Sequence, residues 1–226
     1  MSTLEKIELE TAPQPDASVI WLHGLGADGN DFVPVVPELN LARADGKTAA
    51  IRFIFPHAAM IPVTLNGGYV MRAWYDILGT DLARREDEVG LRRSQQSIEV
   101  LIANERARGI ASERIVLAGF SQGCAMTLLT GLRHSEPLAG LIALSGYLPL
   151  AAKTATERSA TNNSVPIFMA HGRQDPMITM DRAQASSQAL TALGYTIEWH
   201  DYPMPHSVCA QEINDIGTFL RRVLSI

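Results

Sequence analysis

The sequence predicts an α/β protein with a mostly parallel central sheet and helices on both of its faces. Three observations predict it. Short runs of consecutive apolar residues recur along the chain, as strands buried on both sides require. Longer segments of helical apolar period separate them. Glycine or proline stands at most of the changeovers. The composition agrees. With 226 residues, 46% hydrophobic and 19% charged, the chain has enough apolar material for a real core, and intrinsic disorder is excluded. The length fits one domain, residues 1–226.

Taken in order, Ile7-Glu8-Leu9-Glu10 alternates apolar and polar, as an edge strand does. Residues 19–22 are apolar throughout and end at His23-Gly24. Residues 51–55 end at Pro56, and 115–118 end at Gly119. The runs at 141–144, 167–170 and 196–199 complete the set. Helices are expected over 91–108, with Ile98, Leu101 and Ile102 on one stripe and Gly109 as the stop. Residues 122–132 are apolar nearly all round, the mark of a buried helix. Residues 181–193 end at Gly194, and 207–224 carry Ile213, Ile216, Phe219, Leu220 and Val223 at helical spacing. The polar stretch 153–164 reads as a surface connection or a short frayed helix. Residues 57–87 break the alternation and read as a long functional loop. Its Trp74-Tyr75-Asp76-Ile77 plugs the loop onto the body, walls a substrate cleft, or does both.

Nineteen basic against 24 acidic side chains leave a net charge of −5, a poor electrostatic partner for phosphate backbones, and no nucleic-acid partner is expected. The basic pairs Arg84-Arg85, Arg92-Arg93 and Arg221-Arg222 are scattered and read as solvated faces. Cys124 and Cys209 have no metal-site spacing and read as free thiols in a reducing compartment. The first residues lack an apolar signal core, and no apolar run is long enough to span a membrane. A cytoplasmic location is expected.

Gly119-Phe120-Ser121-Gln122-Gly123 is a G-x-S-x-G pentapeptide between a strand and a buried helix, the context of a nucleophile elbow. Small residues on either side let the backbones pass closely and hold the hydroxyl above the sheet. A serine at that place needs a base, and the order on such a fold is serine, acid, histidine. His171, His200 and His206 follow with room for an acid between. His171 leaves only Glu136 and Glu157, neither at a strand end, and His200 lies within the last strand. His206, on a loop stiffened by Pro203 and Pro205, is the candidate base. Asp175 is the only carboxylate of the loop 171–176 and is the candidate acid; Asp181 reads as an early-helix charge and Asp201 as a strand-end group. The amides of Gln122 and Leu25 are the candidate oxyanion donors, Leu25 because the glycines around it let backbone approach substrate. His23 reads as support for that turn. Residues 24–29 also match G-x-G-x-x-G, but the strand that follows ends in Phe55-Pro56-His57 with no ribose-binding carboxylate, and Asp45 precedes it. A nicotinamide-dependent oxidoreductase is therefore disfavoured.

Together LHGLGADGNDF (22–32), RAWYDI (72–77), GFSQGCAM (119–126), ALSGYLP (143–149), HGRQDP (171–176) and YPMPHSV (202–208) resemble the carboxylesterase and acyl-protein thioesterase family of small α/β-hydrolases, over almost the whole chain. The resemblance implies an α/β-hydrolase fold without a separate lid domain, no metal and no cofactor. It places the triad on Ser121, Asp175 and His206 and the oxyanion hole on Leu25 and Gln122. It implies hydrolysis of short to medium acyl esters, with thioesters of acylated proteins or lysophospholipids as the alternative substrates. It adds an acyl groove flanked by Trp74 and Tyr75, with Leu25, Ile77 and Met177 as further apolar contacts. Cys124 stands where a third glycine is common in the family. A non-catalytic module that binds acyl groups or proteins is the more distant alternative, and the low charge fraction is compatible with a homodimer.

Overall fold

The computed structural model describes residues 4–43, 45–79 and 85–226. Arg84 and residues 80–83 of the 57–87 segment lie outside them.

The strands of the main sheet are β1 (Lys6–Glu10), β2 (Ala17–Leu22), β3 (Ile51–Pro56), β6 (Ile115–Phe120), β7 (Gly140–Leu144), β8 (Ile167–Gly172) and β9 (Ile197–Tyr202). A hairpin of β4 (Met60–Val63) and β5 (Tyr69–Arg72) stands apart from it. The helices are α1 (Glu88–Ala107), α2 (Gln122–Gly131), α3 (Ala151–Glu157), α4 (Met180–Ala192) and α5 (Ala210–Val223). The sheet order is β1-β3-β2-β6-β7-β8-β9, antiparallel at β1 and parallel from β3 to β9.

Each apolar run becomes a strand because both of its faces are covered. In β2, Ile20 and Leu22 face one core and Val19 and Trp21 the other. In β6, Ile115 and Leu117 divide from Val116 and Ala118 in the same way. The first core is closed by α1, α2 and α4, the second by α5 and a 3-10 segment, Val33–Leu39. Every residue of α2 is buried, as its all-round apolar sequence requires. The two edge strands depart: β1 and β9 are mostly half-buried and carry most of the sheet's charged residues, Arg52 of β3 being a buried exception. Asp87 caps α1 by accepting the Gly90 amide, and Gly109, at φ +94°, follows its end.

The segment 57–87 differs from its expected loop. It holds the β4–β5 hairpin, whose short strands bury only Val63 and so leave no burial pattern in the sequence. The last helix starts at Ala210, three residues after the expected position, because residues 203–209 form a bent loop that carries His206. Residues 151–157 are helical and a 3-10 turn, Ala160–Asn162, follows.

Parallel pairing puts the C-terminal ends of β2, β6, β8 and β9 on one edge of the sheet. Leu22 pairs with Gly119, and Gly172 pairs with Tyr202. The loops after those strands therefore meet, which is where α/β sheets bind ligands.

Candidate active site

Ser121 follows β6 and opens α2 with φ 57° and ψ −115°, a conformation that costs about 1–3 kcal/mol for a non-glycine residue. The turn is tight enough to exclude side chains on both sides. A Cβ on Gly119 would stand 2.2 Å from the Gly123 carbonyl oxygen, and one on Gly123 would stand 2.1 Å from that of Leu22. The two glycines of the pentapeptide are thus steric necessities. The Ser121 amide donates to Leu144 on β7 at 2.9 Å, pinning the elbow to the sheet.

Asp175 and His206 come from the loops after β8 and β9. These loops are laced together: the Arg173 amide donates to Tyr202 O at 2.8 Å and the Gln174 amide to Met204 O at 3.1 Å. A Cβ on Gly172 would meet Met204 and Pro205 carbonyl oxygens at 2.4 Å. Asp175 is buried. Its Oδ1 accepts the amides of Met177 (2.8 Å) and Ile178 (2.9 Å), and its Oδ2 accepts His206 Nδ1–H at 2.6 Å. That bond leaves Nε2 of His206 without its proton in the neutral ring, ready to accept one. The ring rests on Phe120, the residue before Ser121, with centroids 4.7 Å apart.

Of the competing groups only His171 is near the pair, its Nε2 3.5 Å from Asp175 Oδ2. His171 is buried beside Asp175, its Nε2–H donating to Ile178 O at 2.8 Å. His200 stacks between Phe168 and Tyr202 and contacts Glu198. Asp201 pairs with Arg173 at 2.6 Å, and Asp181 lies in the first turn of α4. His23 Nδ1–H donates to Gly24 O and its Nε2 accepts the Ala58 amide, so it is a neutral buried brace. Burial lowers its pKa to about 4 against the bond to Gly24.

Residues 24–29 curl over the elbow. A Cβ on Gly24 would lie 3.4 Å from Ser121 Cβ. The Gly26 amide is fixed to Arg72 O at 2.9 Å and the Gly29 amide to His57 Nδ1 at 3.0 Å. The glycine-rich loop is a neighbour of the serine, and Asp45 only closes a surface turn onto the Lys47 amide.

Ser121, His206, Leu25 and Gln122 line one cleft of about 510 Å³. Tyr75, Ile77 and Met177 line it as well, Met177 exposed at its mouth. Trp74 does not. It lies behind the wall, 1% exposed, with Nε1–H donating to His23 O at 2.9 Å. Of the two readings of Trp74, the plug is the one its position fits, because its indole N–H finds a buried backbone partner there. The Gln122 side chain holds the same strap: its Oε1 accepts the Trp74 amide at 3.0 Å and its Nε2–H donates to Tyr75 O at 2.9 Å. Sequence reasoning missed Phe120, Leu65, Tyr147 and Ile178 in the cleft. Phe120 had a signal, as the variable residue before the serine; Leu65 had none, since it rides on the hairpin. Cys124 is buried beneath the elbow, its thiol pKa raised by burial, with Gly146 against it. Asp31, also on the cleft, has its carboxyl pKa raised by burial and by Asp28. Among the described residues no three metal-ligating side chains converge, and no helix is long and apolar enough to cross a membrane.

A model of the phospholipase/carboxylesterase family matches residues 5–224. Acyl-protein thioesterase 1 of Mycosarcoma maydis is 39% identical, over 99% of this chain and 99% of its own. Acyl-protein thioesterase 1 of Gibberella zeae is 40% identical, over 94% of this chain and 93% of its own. The crystal structure of Zea mays acyl-protein thioesterase 2 matches with a TM-score of 0.86 at 25% identity, over 97% of this chain and 99% of that one. The chain belongs to the phospholipase/carboxylesterase family of α/β-hydrolases and is a hydrolase.

Proposed function

We propose that the protein is a serine hydrolase that cleaves carboxylic esters of short to medium acyl chains through a Ser121–His206–Asp175 triad. One observation carries the reading: an imidazole held at 2.6 Å by a buried aspartate shares an apolar cleft with a serine on a positive-φ elbow. His206 Nε2 takes the Ser121 proton as Oγ attacks the acyl carbonyl, and Asp175 stabilises the imidazolium that forms. The amides of Leu25 and Gln122 hold the oxyanion, each worth about 3–4 kcal/mol in such sites. The imidazolium then gives its proton to the departing alkoxide or thiolate. Water, deprotonated by the same imidazole, releases the acid and restores the serine. Tyr75, Ile77 and Met177 contribute the apolar walls for the acyl chain.

Thioesters are the second reading, favoured by the relatives named acyl-protein thioesterase 1. Lysophospholipids fit the same cleft chemistry. We read residues 1–226 as one domain, because one sheet runs from Lys6 to Tyr202 and the family match spans 5–224. A reducing, cytoplasmic setting agrees with the free thiols of Cys124 and Cys209.

The test is Ser121→Ala. Turnover of p-nitrophenyl butyrate falls by about 10⁶, as in units of this kind, and labelling by a fluorophosphonate probe disappears. Undiminished hydrolysis by the variant refutes the assignment. A non-catalytic binding module would leave the wild type unlabelled. Matched oxygen esters and thioesters of one chain length then separate the two substrate classes.

A further inference from the structure

The acyl cleft is not the only cavity that Tyr147 lines. The same side chain borders a second cavity of about 400 Å³, between the loop after β7 and helix α4. Leu148, Leu150, Ala185 and Ala189 give that cavity apolar walls. The Tyr147 side chain is held on two sides. Its hydroxyl bonds that of Tyr75 at 2.9 Å, and the Arg182 guanidinium lies 3.8 Å over its ring. Ser186 of α4 anchors the adjoining backbone by accepting the Leu148 amide at 2.9 Å. Two buried tyrosines joined through their hydroxyls are unusual company in a wall made for hydrocarbon. A phenylalanine would pack there without a polar group to satisfy. The hydroxyl pair fixes where the ring stands, between the acyl cleft and a second cavity whose apolar walls are rimmed by Glu86, Lys153 and Arg182.

We propose that Tyr147 is a partition that sets the length of acyl chain the enzyme accepts. It closes the acyl cleft against the second cavity, so chains that outgrow the first space meet an aromatic wall instead of continuing. The inference rests on the ester-hydrolase reading above and names a specificity residue for it. Removing the ring joins the two spaces and lets further methylenes leave water. Each buried methylene is worth about fourfold in binding, so two already exceed tenfold.

The test is kcat/KM on p-nitrophenyl esters from butyrate to laurate. In Tyr147→Ala the ratio of laurate to butyrate rises at least tenfold over wild type. Tyr147→Phe, which keeps the ring, leaves the ratio within about twofold. Tyr147→Leu serves the same purpose as the alanine if that variant does not fold. Adding Ala189→Phe to the truncated variant refills the second cavity and returns the ratio to the wild-type value. An unchanged ratio in both truncations, or a raised ratio that Ala189→Phe does not lower, overturns the partition. A wild type inactive on every ester would instead strike at the hydrolase reading, so the two failures are distinguishable.

Discussion

At the scale of single residues, the proposed chemistry turns on how Asp175 uses its two oxygens. One is satisfied by the Met177 and Ile178 amides, which orient the carboxylate. The other is left for His206. Asp175→Asn keeps the size and the two amide bonds, but its –NH₂ faces the imidazole and selects the wrong tautomer. A loss of about 10⁴ in kcat is expected, with little change in melting temperature. Asp201→Asn, which breaks only an exposed pair with Arg173, should change kcat less than twofold. Comparable losses in the two variants would contradict the assignment of the acid. These residues were legible in the sequence because each follows an apolar run, and the fold orders such positions along the chain. Trp74 was not. A large ring in a polar segment serves equally as a plug or a wall, and only the acceptor for its indole N–H, His23 O, decides between them.

At the scale of elements, the strap 73–77 is attached to α2 through the Gln122 side chain, while Gln122 itself lines the cleft and its amide is the proposed oxyanion donor. One residue thus joins the wall of the cleft to its catalytic floor. Gln122→Ala retains the amide and deletes both strap bonds, leaving the Trp74 N–H and Tyr75 C=O unpaired. The expected cost is about 1–3 kcal/mol of stability, read from chemical denaturation. KM should rise by a larger factor than kcat falls, since the strap carries Tyr75 and Ile77 but no triad member. A variant that loses kcat alone would show that the side chain acts on the chemistry and not on the wall. The strands, and helices α1, α2 and α4, were readable from their period because both faces of the sheet are buried. The β4–β5 hairpin was not. Strands of four residues with Met60, Tyr69 and Val70 exposed alternate nothing that burial could reveal. The start of α5 was misplaced for a related reason: Cys209 makes no side-chain cap, so no N-terminal signal marks it.

At the scale of the whole molecule, two buried ionisable groups on different parts of the fold give stability opposite dependences on pH. His23, beneath the loop after β2, is held at about 4 by burial. The unfolded chain takes up its proton near the ordinary value of 6.5, so this contribution is present above 6.5 and is lost as pH falls toward 4. Glu212, in the first turn of α5, has both carboxylate oxygens buried without a well-formed hydrogen bond among the described residues. Burial raises its pKa to about 8; the Cys209 amide opposes this and Asp215 adds to it. The folded state keeps the Glu212 proton that the unfolded chain releases near 4.5, so its contribution is complete below 4.5 and is lost as pH rises through 8. Between 4.5 and 6.5 the two slopes oppose each other. From 6.5 to 8 only the Glu212 slope of the pair remains, and stability declines with pH. Glu212→Gln removes the ionisation while keeping the shape, so the decline between pH 6.5 and 8.5 should flatten. Urea midpoints across that range measure it. Parallel profiles for wild type and Glu212→Gln would show that this carboxyl is ionised in the folded protein throughout, and that α5 tolerates a buried charge at its start.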